Sequence, residues 1–87
     1  MTRRYRHKRG GLYTLIKRRP APHDIKAGER VLTRMDGFLC FATATDDLIK
    51  GEEVVFYLGE DGRAWVRPAR IFNEPGRFTL LESEAQP

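Results

Sequence analysis

Short apolar runs, separated by glycine, proline and aspartate, form the main hydrophobic pattern of this chain. Each run is about five to seven residues long, which is typical of strands and short for helices. Within the runs apolar and polar residues tend to alternate, as expected for strands that bury one face. The pattern therefore predicts an all-β fold with hardly any helix.

The first predicted hairpin surrounds Asp36-Gly37. Residues 29–35 and 38–43 flank this dipeptide, which is favoured in two-residue turns because both positions must tolerate a positive φ. The resulting register gives one largely apolar face. It pairs Met35 with Phe38, Thr33 with Cys40, and Val31 with Ala42.

The second predicted hairpin joins residues 53–58 to residues 63–67 through a loop closed by Gly62. We prefer the register that pairs Leu58 with Ala64, because a slip of one residue would mix apolar and polar side chains on each face. The core face then carries Val54, Phe56, Leu58, Ala64 and Val66. The opposite face carries Val55, Tyr57, Trp65 and Arg67.

The remaining elements are short and are bounded by residues that break strands. We expect a strand over 12–17, a loop over 18–24 because of its two prolines and clustered charge, one helical turn over 69–73, and a last strand over 77–81. The residues predicted to be mostly buried are Val31, Phe38, Cys40, Phe56, Val66, Ile71 and Phe78.

Five to six short strands cannot form two large sheets in a chain of 87 residues. A small, strongly bent barrel is the economical arrangement, because its edges close on themselves. We expect an SH3-like barrel, with an OB-type arrangement as the alternative. The predicted barrel occupies residues 11–82, after a basic N-terminal arm (1–10) and before a flexible tail (83–87).

Residues 24–31 and residues 47–54 resemble each other, and both predicted hairpins are entered through Gly-Glu-x-Val. An internal duplication would explain this similarity. Shared requirements for entering a strand would explain it as well, and we favour that interpretation.

The charge is unevenly distributed along the chain. Residues 1–30 hold ten basic and two acidic residues, a net charge of +8, whereas residues 31–87 hold six basic and ten acidic residues, a net charge of −4. A basic N-terminal third suggests attraction to an anionic partner, most often nucleic acid. A segment that only confers solubility is the alternative.

Several classes of protein are excluded or disfavoured by composition. No apolar run approaches the roughly 20 residues that cross a bilayer, and the basic start is not followed by the apolar stretch of a secretory signal. The single cysteine, Cys40, cannot form an internal disulfide. We therefore expect a cytoplasmic protein without a membrane partner.

The sequence offers no convincing catalytic or metal-binding residues. Cys40 lies on a predicted core face, where a structural thiol is expected. His7 is surrounded by basic residues, and His23 follows a proline in the predicted loop. We expect no catalytic site, metal or cofactor, and we do not expect an enzyme.

The aromatic and basic residues of the second hairpin are the best candidates for function. Aromatic rings stack on bases and an arginine fork grips phosphate, so Tyr57, Trp65 and Arg67 would suit a single-stranded nucleic acid or a nucleotide. The alternative is that Trp65 belongs to the core. The full set of candidate binding residues is Arg6, Lys8, Arg9, Tyr13, Arg18, Arg19, Tyr57, Trp65 and Arg67.

Three segments carry a resemblance to a known family. They are Tyr-Arg-His with the following Gly-containing stretch (5–13), a Val-rich strand with Trp-x-Arg-Pro (54–57 and 61–68), and Phe72 with Gly-Arg-Phe (76–78). The chain resembles the bacterial and phage family catalogued as domain of unknown function 1653, and it departs from that pattern between residues 17 and 52. The resemblance implies a compact all-β domain, in the cytoplasm of a bacterium or of a phage-infected host. It implies no catalytic or ligand residues.

These observations together predict a small non-enzymatic binding module. We expect it to hold nucleic acid, or another anionic partner, through its basic arm and its aromatic-arginine face. One alternative is a protein-interaction or inhibitor module that docks through a strand edge or an aromatic groove. Another is sequestration of a small phosphorylated ligand.

Overall fold

The computed structural model describes residues 3–35 and 37–81. The described part of the chain is all-β, with seven strands and one short helix. The elements in chain order are β1 (Arg3–His7), β2 (Leu12–Pro20), β3 (Arg30–Met35), β4 (Phe38–Ala44), β5 (Glu53–Gly59), β6 (Ala64–Pro68), α1 (Ala69–Phe72) and β7 (Phe78–Leu81). No helix within the described ranges is both long and apolar enough to cross a membrane.

The strands form one sheet in the order β3-β4-β6-β5-β2-β1-β7, so the described strands number seven rather than five to six. All neighbours are antiparallel except β4 and β6, which run parallel. The sheet is not closed, because its edge strands β3 and β7 do not pair with each other. Where the curled sheet brings β3 towards β2, the Lys17 ammonium donates a hydrogen bond to the carbonyl of Arg34.

Two predictions about the basic segments are wrong. Residues 3–7 of the expected arm form β1, which lies between β2 and β7, because the tight turn through Gly10 (φ +102°) returns the chain as a hairpin. The expected loop begins later, because β2 continues through Arg18 and Arg19 to Pro20 opposite β5. Two-sided pairing therefore orders much of the basic N-terminal third. The expected tail, 83–87, lies outside the described residues.

Both predicted hairpin registers are confirmed. Met35 pairs with Phe38 in β3–β4, and Leu58 pairs with Ala64 in β5–β6. Phe38 is nevertheless 75% exposed rather than buried. The reason is that β6 pairs with β4 only from Ala42 onwards, so the beginning of β4 extends beyond its neighbour. Cys40, Ile71 and Phe78 are half-buried, whereas Val31, Phe56 and Val66 are buried as predicted.

The sheet buries apolar residues on both faces, which the sequence analysis did not predict. The first core includes Val31, Phe56 and Val66 and lies on one face of the curled sheet. The opposite face of the β5–β6 hairpin is a second core, where Val55 and Tyr57 pack with Phe72 of α1. This second core forms because β1, β7 and α1 are brought together against β5 and β2. Tyr57 is therefore buried in the second core and not exposed as a surface for stacking.

The two similar segments adopt the same structure and bind each other. Ile25 and Leu48 form a reciprocal pair of backbone hydrogen bonds at 2.9 and 2.7 Å. The Asp24 carboxylate accepts a hydrogen bond from the backbone of Lys50, and Asp47 accepts one from the backbone of Ala27. These matched contacts relate the two segments by a local pseudo-two-fold axis with a sequence offset of 23 residues.

The same relationship extends to the strands on both sides. β3 pairs with β4 through Val31 and Ala42, and the equivalent residues, Val54 and Arg19, pair in β5 and β2. Gly28 and Gly51 both end their turns at a φ near +90°, a conformation that L side chains rarely adopt. One half thus consists of β2 and β3 and the other of β4 and β5, and the second strand of each half pairs with the first strand of the other. This favours internal duplication over shared strand-entry requirements as the origin of the sequence similarity.

Candidate anion-binding cleft

A cleft of about 580 Å³ lies beside the second core. The β1–β2 turn, the ends of β4 and β6, and the start of β7 meet there, and a backbone hydrogen bond of 2.9 Å from Lys8 to Arg77 joins the turn to the segment before β7. None of the described lining residues is acidic. They are His7, Lys8, Arg9, Gly11, Tyr13, Thr45, Tyr57, Trp65, Arg67, Arg77 and Phe78.

Arg67 is held in place from two sides. Its Nε donates a hydrogen bond of 3.0 Å to the hydroxyl oxygen of Tyr57, and its Nη1 lies 3.9 Å from the Asp46 carboxylate. The Thr45 hydroxyl donates a hydrogen bond to the same carboxylate oxygen. Only 16% of the Arg67 side chain is exposed, so its orientation is restricted before any ligand arrives. Such an arginine is suited to binding phosphate or carboxylate oxygens.

Cations line the cleft, and they affect the pKa of His7. Burial lowers the pKa of His7, and the nearby charges of Arg67, Arg77 and the basic turn lower this pKa further. The backbone N–H of Arg9 donates a hydrogen bond to Nδ1 of His7, so neutral His7 carries its proton on Nε2. An N–H donor therefore accompanies the cations of the cleft.

Tyr13 forms one wall of the cleft, and two glycines make room for its ring. A Cβ atom at Gly11 would lie 3.2 Å from the Tyr13 hydroxyl, and one at Gly59 would lie 3.2 Å from its Cε1. The ring meets Tyr57 edge-on, with ring centroids 5.3 Å apart. A Cβ atom at either glycine would therefore be in tight contact with the ring, which packs closely against the backbone at both positions.

Trp65 combines the two roles that the sequence left open. It is half-buried and packs against the second core, yet it also lines the cleft. The Arg63 guanidinium lies 5.8 Å from the centre of its ring. The indole is therefore held by the core and remains partly exposed at the cleft.

The cleft contains six of the nine predicted binding residues. The structure brings together Lys8, Arg9, Tyr13, Tyr57, Trp65 and Arg67. Tyr57 contributes by positioning Arg67, because its ring is buried.

The other three predicted binding residues lie outside the cleft. Arg6 is exposed on β1. Arg18 and Arg19 lie on β2, where their guanidinium groups are 5.9 Å from the Phe72 ring centre and 5.1 Å from the Phe56 ring centre. These two arginines cover the cores rather than reach the cleft.

Sequence reasoning missed five residues of the cleft as binding candidates: His7, Gly11, Thr45, Arg77 and Phe78. Arg77 forms two hydrogen bonds with the Glu74 carboxylate, at 3.1 and 2.7 Å, and remains partly exposed. Its position depends on the pairing of β7 with β1, which are about 70 residues apart, and no local pattern signals such pairing. The Gly-Arg-Phe motif in the family resemblance was the available clue.

The described part of the chain shows no cluster of side chains that could bind a metal ion. Across residues 3–35 and 37–81, no three histidine, cysteine, aspartate or glutamate side chains come together to bind an ion. The cations around His7 also disfavour a metal ion there.

Comparisons with protein-family models, with curated proteins and with solved structures find no match for this chain. The resemblance to domain of unknown function 1653 therefore stays a prediction.

Proposed function

We propose that this protein is a non-enzymatic module that binds single-stranded nucleic acid through the cleft. The observation that carries the proposal is the restrained Arg67, which faces a cleft also lined by Lys8, Arg9 and Arg77. A phosphate there would replace the water around these cations with charge-assisted hydrogen bonds. The phosphate would meet Arg67 in an orientation that the fold already restricts.

The aromatic residues give the cleft a second means of recognition. Trp65 and Tyr13 lie on the same cleft as the cations, so a base could stack on the exposed part of the indole while its phosphate reaches Arg67. Stacking does not depend on base identity, because every base has a π face. We therefore expect weak sequence preference and strong dependence on salt.

The volume of the cleft favours one alternative, a small phosphorylated ligand. About 580 Å³ lies within the usual range of small-molecule sites, roughly 300–1,000 Å³, and suits one nucleotide. The two functions share the same phosphate contacts. They differ in whether the neighbouring nucleotides of a strand add affinity.

We also infer that β2 to β6 wrap the first core as a small, strongly bent, barrel-like unit. The contact between Lys17 and Arg34 across the gap in the sheet supports this inference. An SH3-like topology stays a prediction.

Titration of the intrinsic fluorescence of Trp65 tests the proposed function. We would compare an eight-nucleotide oligothymidylate with thymidine monophosphate at low salt. The proposal predicts a change in Trp65 emission with both probes and at least roughly tenfold tighter binding of the oligomer, because flanking phosphates and bases add contacts. Equal affinity for the two probes would favour the small-ligand alternative.

Charge-matched variants locate the binding. Arg67→Gln should weaken oligomer binding by roughly tenfold, the scale of one charge-assisted hydrogen bond. Lys50→Gln removes the same charge from an exposed residue away from the cleft and should leave affinity nearly unchanged. Absence of binding in the wild-type protein, or equal loss in both variants, would refute the proposal.

A further inference from the structure

The β3–β4 hairpin exposes large apolar side chains on one face. Leu32 pairs with Phe41 and Arg34 pairs with Leu39, so these four side chains share the face that points away from the first core. Leu32, Leu39 and Phe41, here called the hairpin face, are all exposed. Phe38 adds a fourth exposed apolar residue at the hairpin tip. Such a cluster on a small protein is typical of an interaction surface.

The pseudo-two-fold relationship makes β5 the equivalent of β3 and β2 the equivalent of β4, and the fold covers the corresponding face of the β2–β5 pair. Val55 is the equivalent of Leu32, and it is fully buried in the second core with Phe72 of α1. Arg18 is the equivalent of Phe41, and its guanidinium lies over the Phe72 ring. Leu32, by contrast, is 54% exposed. The β2–β5 pair thus has an apolar cover, whereas the equivalent β3–β4 pair has none among the described elements.

Two arginines, Arg30 and Arg34, lie beside the hairpin face. The Arg30 guanidinium lies 4.4 Å from the centre of the Phe41 ring, and Arg34 donates a hydrogen bond from Nη1 to the carbonyl of Gly37. Both arginines are exposed, and neither β3 nor β4 contains an acidic residue. A partner that covers the leucines and phenylalanines would therefore meet arginines at the edge of the contact.

The arrangement of these charges disfavours edge-to-edge pairing of β3 with a second copy of the chain. An antiparallel pair of β3 edges centred on Leu32 would set Arg30 of one copy opposite Arg34 of the other. Like charges directly across a strand pair are destabilising. Carboxylates in those positions would be attracted by the same arginines.

We propose that the hairpin face docks a segment of another protein that presents leucine or phenylalanine side chains next to aspartate or glutamate. The apolar side chains would cover Leu32, Leu39 and Phe41, as Phe72 covers Val55 on the β2–β5 pair. The acidic side chains would meet Arg30 and Arg34. This surface is separate from the nucleic-acid cleft, so either proposal can fail alone.

The test is an NMR titration of the full chain with a synthetic dodecapeptide composed of leucine, phenylalanine and glutamate. Shifts should be largest at Leu32, Leu39 and Phe41. Replacing the peptide's glutamates by lysines, or its apolar residues by serines, should each weaken binding by roughly tenfold or more, because contacts of both kinds carry the affinity.

Matched variants place the contact on the protein. Phe41→Ser and Arg30→Glu should each weaken peptide binding by roughly tenfold, and both sites are exposed, so folding should be retained. Ile49→Ser removes an equally exposed apolar residue away from the hairpin and should change nothing. The cleft variant Arg67→Gln should bind the peptide as the wild type does.

Four results would overturn the proposal. Shifts confined to the cleft would mean that the peptide binds there as an anion, and equal loss with Ile49→Ser would mean non-specific apolar contact. A concentration-dependent dimer abolished by Phe41→Ser would identify a second copy as the cover. Larger shifts of the hairpin face with oligothymidylate than with the peptide would assign the face to nucleic acid.

Discussion

The Tyr57 hydroxyl accepts a hydrogen bond from the Arg67 guanidinium where the second core meets the cleft. Tyr57 is 2% exposed and belongs to the second core, whereas Arg67 extends from β6 to line the cleft. The hydrogen bond of 3.0 Å between them connects the core to the most restrained cation of the candidate site. The orientation of Arg67 thus depends on the packing of the core.

Tyr57→Phe tests this connection, because it removes only the hydroxyl group. We expect the free energy of unfolding to fall by about 1 kcal/mol, the usual net value of one hydrogen bond. Oligonucleotide affinity should fall several-fold, because Arg67 keeps its charge but loses its main constraint. Urea unfolding and Trp65 fluorescence titration measure the two effects. Unchanged affinity would show that the constraint on Arg67 does not matter for binding.

The lowered pKa of His7 makes stability depend on pH in a defined direction. Between this lowered pKa and the ordinary histidine pKa of 6.5, the unfolded chain binds a proton that the folded chain does not. The His7 contribution to stability is therefore complete above pH 6.5 and decreases as the pH falls through this window. Urea unfolding at a series of pH values should show this decrease, and His7→Gln should remove it.

Anion binding should reverse the shift of His7. A phosphate in the cleft would offset the surrounding positive charge, so the pKa of His7 should rise when oligothymidylate binds. NMR titration of the imidazole signals measures this change. The exposed His23 lies outside the cleft, and its signals serve as an internal control. A pKa of His7 that is the same with and without ligand would place the anion elsewhere.

The pseudo-two-fold axis predicts equal losses of stability for substitutions at two equivalent positions that are far apart in sequence. Asp24→Ala and Asp47→Ala each remove one hydrogen bond from a carboxylate to the backbone of the other segment, at 2.8 and 2.9 Å. Each should lower the free energy of unfolding by about 1 kcal/mol, as for the loss of a capping residue. Thermal and urea denaturation of the two variants measure this. A loss confined to one of them would show that the two segments are not energetically equivalent.

Half-burial of Trp65 predicts an intermediate cost of its removal. Trp65→Ala should lower the free energy of unfolding by about 2 kcal/mol, less than the 3–5 kcal/mol of a fully buried tryptophan. It should also remove about 1–3 kcal/mol of oligonucleotide binding through lost stacking. In the wild-type protein, acrylamide should quench the indole partially, and oligothymidylate should protect it. Full protection without ligand would instead assign Trp65 to the core alone.

Local signals were sufficient to predict much of the β structure. Gly37 and Gly62 specify tight turns, and the alternation around them fixed both hairpin registers. Pairing between distant strands was not predictable in this way. Nothing near residues 3–7 or 78–81 indicates that they pair with each other, so β1 was interpreted as an arm and the second core was missed.

The same limit applies to the candidate site. Composition and hairpin register were enough to identify several binding candidates, because their side-chain chemistry is suited to an anion. These candidates are Lys8, Arg9, Trp65 and Arg67. Arg77 joins them only through the β1–β7 pairing. Arg18 and Arg19 have the same chemistry in sequence, but β2 places their guanidinium groups on the rings of the two cores.

The most direct test of the central claim is the salt dependence of oligothymidylate binding. If the four cations Lys8, Arg9, Arg67 and Arg77 meet phosphates, log affinity should fall with log salt concentration at a slope of roughly −2 to −3, from about −0.7 for each contact with a single strand. Arg67→Gln should reduce the size of this slope by about 0.7, and Lys50→Gln should leave it unchanged. A flat salt response, or a slope that Arg67→Gln does not alter, would contradict the assignment of the cleft as the nucleic-acid site.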